Sequence, residues 1–434
     1  MNIGIIGAGY VGMTTSVAFA KYGHTVFVID HDQDKINQLN QSILPFYEEG
    51  IENLLNELVK EGKLFFITNL EECIDQCDIL FITVGTPSSK EGVANLSFVE
   101  AAAKEIASRI KTDQVIMMKS TVPVGTSRKI KEMIRKEVEK RTEDISFELV
   151  SNPEFLREGK ALFDALYPER IVVGCETEKA RRKMEELYKD FNSPILFTTL
   201  EDAEMIKYAA NSFLATKISF MNELARLCDK VGANINQVAK GMGMDSRIGP
   251  QFLQAGIGFG GSCFPKDIKA LLALANVEEA PLHILQAVSN VNQTQVNWFM
   301  EKMEQQLSGL SKKRIAILGL TFKPETDDIR EASSLKVIDF LLRRNASIIA
   351  FDPKGIEHVK KIYPSIHYTS NPYEALKGAE AVLLVTEWKE IVEVDWESAK
   401  DIVAQPFIFD GRNALDPATM ENLGYRYVGI GIGN

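Results

Sequence analysis

NIGIIGAGYVG, residues 2–12, decides how the chain is read. Its first five residues cluster apolar side chains as a strand buried in a parallel sheet does. Gly7, Gly9 and Gly12 follow at once in the spacing GxGxxG. The stretch 11–22 then reads as a helix, whose first N–H groups lack intrahelical partners and favour an anion such as a pyrophosphate. The next strand, 25–29, ends in Asp30. An acid at that position accepts hydrogen bonds from both adenine-ribose hydroxyls and repels a 2′-phosphate, which favours NAD over NADP. Glycines alone would equally make a structural turn; strand, glycines, helix and acid together point to a dinucleotide site.

The alternation of strand and helix continues. A helix near 51–60 precedes a strand at 64–68, and the strand 78–84 stops at Gly85, Thr86 and Pro87. Carboxyl ends of parallel strands line the ligand crevice of such folds, so Val84 and Thr86 are expected against the cofactor. The strand 115–119 runs into Ser120 and Thr121, and Thr121 is either a site residue or a residue that only bonds the turn before the helix 126–139. The strand 148–151 leads to SNPEFLREG, 151–159, which places Glu154, Arg157 and Glu158 at a strand end. They face the crevice, or they form a solvated first helical turn, whose dipole also favours acids. The strands 170–174 and 194–197 around the helix 178–190 complete a first α/β domain.

From residue 200 the pattern becomes helical, through 231 and again through 257. Lys207 and Asn211 are four apart and share a face with the apolar Leu214, Ala215 and Ile218. Either they aim at one oxygen, or the stripe rotates to the surface early. Next comes GIGFGGSCFPKDIK, 256–269. Its four leading glycines allow close backbone approach, Pro265 stiffens the exit, and Lys266 and Asp267 stand within four positions of Cys263. Fixed positive charge favours the thiolate, which is the nucleophile. The alternative is a cysteine that fills a gap in a turn. Helices are expected again at 269–275 and 282–307.

KRIAILGLTF, 313–322, repeats the opening theme without the full glycine triplet, so a second Rossmann-like sheet need not bind its own dinucleotide. A helix at 334–344, strands at 347–351, 381–385 and 406–409 and a helix at 373–377 complete it. Lys323, Arg330 and Arg412 fall at or after strand ends, where they offer cations to a phosphorylated substrate. The fold class is therefore α/β, two Rossmann-like doubly wound parallel-sheet domains joined by a central all-helical segment. The expected divisions are 1–199, an NAD-binding domain; 200–306, the helical region that holds Cys263; and 307–434, the second sheet.

A chain of 434 residues, 45% hydrophobic and 25% charged, suggests an ordinary globular protein of two or three domains. The net charge of −11 argues against nucleic acid or an acidic membrane as the main partner. Five cysteines without metal-ligand spacing predict reduced thiols in a cytoplasm and no metal site. Cys73 and Cys77 are expected packed on one helix rather than paired. MNIGIIGAG forms a strand and turn rather than a signal peptide, and no long apolar run predicts a membrane span.

A nicotinamide site and an activated thiol together suggest oxidation of an aldehyde onward to a carboxylate, because a thiohemiacetal loses a second hydride to give a hydrolysable thioester. In order, GAGYVG, VGTP (84–87), STVPVGT (120–126), SNPEFLREG, the Lys207/Asn211 helix, GFGGSCFPKD (258–267), GLTFKPETDDIRE (319–331) and FDGRN (409–413) make a set that resembles the UDP-glucose/GDP-mannose dehydrogenase family end to end. UDP-N-acetylmannosamine enzymes carry a loop more like GGHCIPVD than the GGSCFPKD found here.

The resemblance implies a four-electron oxidation of UDP-glucose at C6 to UDP-glucuronate, with two NAD and one water. GDP-mannose is the alternative substrate, and an NAD-binding sensor or scaffold is the non-enzyme alternative. It implies Cys263 as nucleophile, with Lys207 and Asn211 stabilising oxyanions. Asp267 with Thr121 and a water resembles the base of the first oxidation, and Glu154 the base or water-positioner of the hydrolysis. Beside the cofactor it places Gly7, Gly9, Tyr10, Val11, Gly12, Asp30, Lys35, Val84, Gly85, Thr86, Thr121, Glu158, Lys266 and Arg330. Lys35 stands where some relatives have arginine and gives a ribose or phosphate contact of weaker hydrogen-bond geometry. For the sugar and uridine diphosphate it implies Glu154, Phe155, Leu156, Arg157, Glu158, Lys207, Asn211, Phe252, Leu253, Gln254, Ala255, Gly256, Gly260, Phe322, Lys323 and Arg412. Arg247 resembles an arginine that reaches a neighbouring subunit's substrate, which implies a homodimer or higher homo-oligomer. The family resemblance also implies dimerisation for the middle region, 200–306, and UDP binding for the last, 307–434.

Overall fold

The computed structural model describes every residue except 88, 90, 91, 142–144, 433 and 434. The chain divides into two compact units, Met1–Ala210 with Lys269–Leu274, and Asn211–Ile268 with Ala275–Asn434.

In the first unit the strands are β1 (Asn2–Ile6), β2 (Thr25–Ile29), β3 (Leu64–Ile67), β4 (Ile79–Ile82), β5 (Gln114–Met118), β6 (Phe147–Ser151), β7 (Ile171–Gly174) and β8 (Ile195–Thr198). Their order, β3-β2-β1-β4-β5-β6-β7-β8, reverses direction between β1 and β4, and a crevice opens at such a switch point. Period-two alternation gives the sheet two buried faces. Ile3 and Ile5 join one apolar cluster, and Ile6, Leu80 and Ile82 join another on the opposite face. Each such side chain taken out of water contributes roughly 1.5–3 kcal/mol. The expectation of a wholly parallel sheet fails at one junction, where β6 and β7 pair antiparallel at Ser151 and Gly174. No local signal marks strand direction, which the 152–170 connection sets by returning on the same side.

The helix Tyr10–Lys21 follows β1 directly. Gly7 has φ +108°, and a Cβ at Gly12 would lie 1.9 Å from the Gly7 carbonyl oxygen, so helix and strand approach this closely only with glycine. After β2, the Asp32 side chain accepts from the N–H groups of Asp34 and Lys35 and starts the helix Gln33–Asn40. Cys73 and Cys77 do not share an α-helix. They flank the short 3₁₀ turn Ile74–Gln76, where both are buried and free.

In the second unit the strands are β9 (Arg314–Leu318), β10 (Ser347–Phe351), β11 (His367–Thr369), β12 (Ala381–Leu384), β13 (Phe407–Asp410) and β14 (Arg426–Val428), ordered β11-β10-β9-β12-β13-β14 and parallel throughout. This is the order of the first six strands again. Asp352, at the end of β10, is the counterpart of Asp30, and it is 2% exposed. Its Oδ2 accepts from the backbone N–H of Leu320 at 2.6 Å and from Trp388 Nε1 at 3.1 Å, and its Oδ1 from Gly355 N at 2.6 Å. Asp352 is thus turned into the fold, whereas the Asp30 side chain keeps 15% of its surface exposed. The acid at this strand end therefore holds its own loop rather than facing the crevice.

The helix Leu200–Val231 begins in the first unit and continues into the second. The helical pattern expected through 257 ends earlier, with the helix Ile235–Gly243, because Gly249, Pro250 and the glycines from 256 onward break it. The next helix starts sooner than the expected 269, at Phe264–Val277. Pro265 is a first-turn residue of that helix rather than a loop stiffener, since a first-turn N–H has no partner to lose.

Candidate active site

The glycine turn offers a built place for a dinucleotide. A Cβ at Gly9 would meet nothing within 4 Å, so the space over the helix N-terminus is open, and Gly9 caps that helix with no side-chain bond. Asp30 Oδ2 accepts from Ala8 N at 2.9 Å and Oδ1 from Asp32 N at 3.0 Å. Lys35 Nζ sits 2.8 Å from Asp30 Oδ2. Burial would raise the Asp30 pKa, but Lys35 and the two backbone donors outweigh it and hold the carboxyl below its usual range. The Lys35 ammonium thus serves the acid.

The loops after β4 and β5 are tied together. Thr86 Oγ1 donates to the Thr121 carbonyl at 2.8 Å, and Ser120 Oγ to the Val84 carbonyl at 2.6 Å. Tyr10 reaches across to the 151–159 segment: its hydroxyl donates to Glu48 Oε2 and accepts from Gly159 N at 3.0 Å. Glu48 itself accepts from Gly159 N at 2.7 Å and was not foreseen. Arg157 is exposed and forks onto Asp164, with Nε to Oδ2 at 2.9 Å.

Lys207 and Glu154 form a buried ion pair, Nζ to Oε1 2.8 Å, with side chains 4% and 7% exposed. The surface reading of the Lys207/Asn211 stripe therefore fails, since Asn211 is buried as well. Glu154 Oε2 accepts from Leu156 N at 2.6 Å. Burial pushes the Glu154 carboxyl up, yet Lys207, the Leu156 N–H and the more distant charge of Lys119 bring it below its ordinary value. Lys207 and Arg170 also stand over the Phe155 ring, 5.4 and 4.1 Å from its centroid. SNPEFLREG is irregular backbone after β6 rather than a first helical turn.

In the second unit Cys263 directly precedes the helix Phe264–Val277, and its carbonyl accepts that helix's bond from Asp267 N at 2.8 Å. A helix N-terminus carries partial positive charge and favours a thiolate. Ser262 Oγ lies 3.5 Å from Cys263 Sγ. Asp267, 1% exposed, faces Lys266 Nζ at 2.7 Å through Oδ1 and Asn211 Nδ2 at 2.6 Å through Oδ2. The Lys266 ammonium expected near the thiol pairs with this carboxylate.

The loop before the cysteine is held from several sides. Asn222 Oδ1 accepts from Gly256 N at 2.8 Å, and Gln295 Nε2 donates to the Gly256 carbonyl at 2.9 Å. Phe252 adopts φ +64°, a strained value for a side chain of this size. Leu253 and Ala255 are buried and Gln254 is exposed. A Cβ at Gly260 would meet the Glu331 carbonyl at 2.2 Å. Arg412 donates to the carbonyls of Gly258, Val385 and Phe322 at 3.0, 2.8 and 3.2 Å, so it shapes this loop directly. Lys323 lies 5.5 Å from the Phe322 ring centroid. Arg330 and Arg247 are exposed, forked onto Asp328 and Asp245.

Three residues at the ends of β5 and β6 and beyond β7 escaped the sequence reading: Lys119, Asn152 and Tyr188. Lys119 Nζ donates to Asn152 Oδ1 at 3.0 Å, and Tyr188 Oη donates to the same oxygen at 2.6 Å. The only signal was an amide directly after a strand end, inside SNPEF.

Fold and site define a class: an oxidoreductase that takes a dinucleotide at its first sheet and carries a cysteine at a helix start beside a carboxylate. The chain belongs to the UDP-glucose/GDP-mannose dehydrogenase family. It matches the family's NAD binding domain over residues 1–192, its central domain over 201–294 and its UDP binding domain over 316–417. It is 46% identical over 432 residues to the UDP-glucose 6-dehydrogenase YwqF of Bacillus subtilis, covering 99% of this chain and 98% of that one. With the UDP-glucose 6-dehydrogenase of Rhizobium meliloti it shares 41% identity over 438 residues, 99% of both chains. A solved UDP-glucose dehydrogenase from Pyrobaculum islandicum superposes with a TM-score of 0.92 at 34% identity, covering 99% and 97% of the two chains. NAD is accordingly the cofactor of the first unit.

Proposed function

We propose that the protein oxidises C6 of UDP-glucose to the carboxylate of UDP-glucuronate, consuming two NAD and one water. The observation that carries this reading is Cys263 at the start of a helix, with the buried Asp267–Asn211 pair one turn on. The names of the relatives agree.

NAD, when bound, supplies the hydride acceptor for both oxidations. Asp267, with Thr121 and a water, takes the proton of the C6 hydroxyl as the aldehyde forms. The Cys263 thiolate adds to that aldehyde, and the C6–Sγ bond gives a thiohemiacetal whose oxyanion Lys207 and Asn211 stabilise. Loss of the second hydride leaves a thioester. Water adds to C6, the C6–Sγ bond breaks, and the carboxylate leaves with the thiolate regenerated. Glu154 suits the role of water-orienting acceptor better than that of strong base, because Lys207 and the Leu156 N–H hold it ionised. Arg412, Lys323, Phe322 and the 252–260 loop receive the uridine diphosphate. Functionally the chain then reads as 1–199 for cofactor, 200–306 for chemistry and dimerisation, and 307–434 for UDP.

A homodimer is part of the proposal. Phe213, Phe220 and Leu227, seven residues apart on the long helix, are 66%, 48% and 56% exposed and form one apolar stripe. Arg247, 86% exposed at its side chain and forked onto Asp245, stands at the surface, and it would reach a second subunit by exchanging that carboxylate for the partner's substrate. We also place the enzyme in the cytoplasm. Among the described residues no helix is long and apolar enough to cross a membrane, and the five cysteines are free.

The test is the yield of NADH from purified protein. Two per UDP-glucose supports the full route, one points to an aldehyde-releasing enzyme, and none with retained NAD binding points to a sensor. GDP-mannose assayed in parallel separates the two substrates.

A further inference from the structure

The ion pair between Lys207 and Glu154 has a neighbour that the mechanism above does not use. Lys119 follows the last residue of β5, at the crevice end of the sheet, where it is half-buried and its ammonium turns inward. Asn152, 2% exposed and one residue beyond β6, is its hydrogen-bond partner. Asn152 is itself fixed: its N–H donates to the Met118 carbonyl at 2.8 Å, and Nδ2 donates to the Val172 carbonyl of β7 at 2.8 Å. Tyr188, buried just past the helix Glu178–Leu187, donates to the same Asn152 oxygen as Lys119. The Asn152 amide therefore has no rotational freedom, and the lysine that leans on it is held where it feels Glu154 two residues further on.

We propose that Lys119 is a positioning residue for the reaction, a second, half-buried cation that braces the 151–156 turn through Asn152 and shares the Glu154 carboxylate with Lys207. This rests on the reading of Lys207 and Glu154 as members of the reacting site. The charged and titratable groups that face it are Glu154 from the turn after β6, Lys207 from the long helix, and Tyr188 from the end of the helix before β8. Two cations and one carboxylate leave the cluster with a net charge of +1, which favours an oxyanion at C6 and a hydroxide-like water at the thioester. That surplus is conditional. Burial pushes the Lys119 pKa down to about 8, with Glu154 pulling it up and Lys207 pushing it further down. Below that pH the cluster is positive. Above it Lys119 discharges, Lys207 keeps Glu154 to itself, and the surplus disappears.

The experiment uses the full-length enzyme and its Lys119→Met, Lys119→Arg and Tyr188→Phe variants. kcat and KM for UDP-glucose and NAD are measured from pH 6.5 to 10. Wild type should show a falling limb in kcat near pH 8. Lys119→Met should lower kcat at pH 7 by roughly tenfold, keep KM for NAD within about twofold, and lose that limb. Lys119→Arg should restore the rate at pH 7 and stay flat through the region, because a guanidinium does not discharge there. Tyr188→Phe frees the Asn152 oxygen for the ammonium alone and should move the limb to higher pH. It also serves if the Met variant does not fold. A limb that persists in Lys119→Met or stays put in Tyr188→Phe overturns the proposal, as does a loss that arginine does not rescue. A wild type that yields no NADH from UDP-glucose would instead sink the functional reading, while a wild type yielding two with indifferent variants sinks only this one.

Discussion

Asn211 donates to Asp267 across 2.6 Å, joining the long helix to the helix that starts just after Cys263. A neutral amide on one carboxylate oxygen and the Lys266 ammonium on the other fix the orientation of a group that is 1% exposed. Such a carboxylate is expensive to bury unless both oxygens are bonded, and here both are.

Replacing Asp267 by Asn keeps the shape and removes the charge. Lys266 loses its partner and, on the proposed mechanism, the C6 hydroxyl loses its base. We expect kcat to fall by about 10²- to 10⁴-fold while NAD affinity changes little. Steady-state kinetics alongside fluorescence titration of NAD check this. A variant of near-normal kcat would move the base elsewhere.

Cys263→Ser retains the helix start and removes the nucleophile proposed for the second half-reaction. It should release no UDP-glucuronate and form at most about one NADH per active site in a rapid burst. Quenched-flow measurement of NADH against enzyme concentration decides it, and unchanged turnover would abolish the covalent route.

Glu154 and Lys207 make a stability prediction with a definite sign. The folded-state pKa of Glu154 lies below its ordinary value, so its contribution is present above the unfolded pKa of about 4.3 and is lost as pH falls through the folded value. Glu154→Gln leaves a buried ammonium facing a neutral amide and should cost about 3 kcal/mol at pH 7. The cost should shrink toward zero on acidification. Urea unfolding at pH 7 and at pH 3 to 4 measures both, and a pH-independent difference would contradict the ion-pair origin.

Much of this site was legible because its signals are local. Gly7, Gly12 and Asp30 announce the dinucleotide turn, since a positive φ, a 1.9 Å approach and a strand-end acid each restrict the residue type. Lys119 was not legible: a lysine after VIMM reads as the solvated end of a strand, and its inward turn depends on Asn152 and Tyr188, 33 and 36 residues apart along the successive contacts. The helix start at Phe264 was hidden by glycines and Pro265, which mark a loop and a helical first turn equally well. Lys266 and Asp267 were read as neighbours of the thiol, and the geometry adds that they pair with each other. Adjacent charges in sequence say which groups are close and not which atoms meet.

Arg412 spends its donors on three carbonyls, those of Gly258, Val385 and Phe322. Lys at this position keeps the charge and cannot hold all three in the same plane. Arg412→Lys should therefore raise KM for UDP-glucose by roughly tenfold or more and leave KM for NAD within about twofold. Equal increases in both would mean that the arginine supports the whole fold rather than the UDP side.

Phe213, Phe220 and Leu227 leave an apolar stripe exposed along the long helix. Two helical turns span about 7.2 residues, so side chains seven apart stay on one face, and three large apolar groups on one exposed face are costly in water. If a second copy covers them, a charge at the centre of the stripe is intolerable there and harmless to a lone subunit, because Phe220 is 48% exposed. Phe220→Glu should therefore convert a dimer into a folded monomer. Light scattering should show the mass falling to that of one chain while circular dichroism and NAD binding persist. Activity separates two ways of using the partner. If Arg247 of one subunit completes the substrate site of the other, the monomer loses UDP-glucose turnover, and Arg247→Ala in the intact dimer loses it as well. A monomer of full activity would confine the stripe to assembly and remove Arg247 from the site.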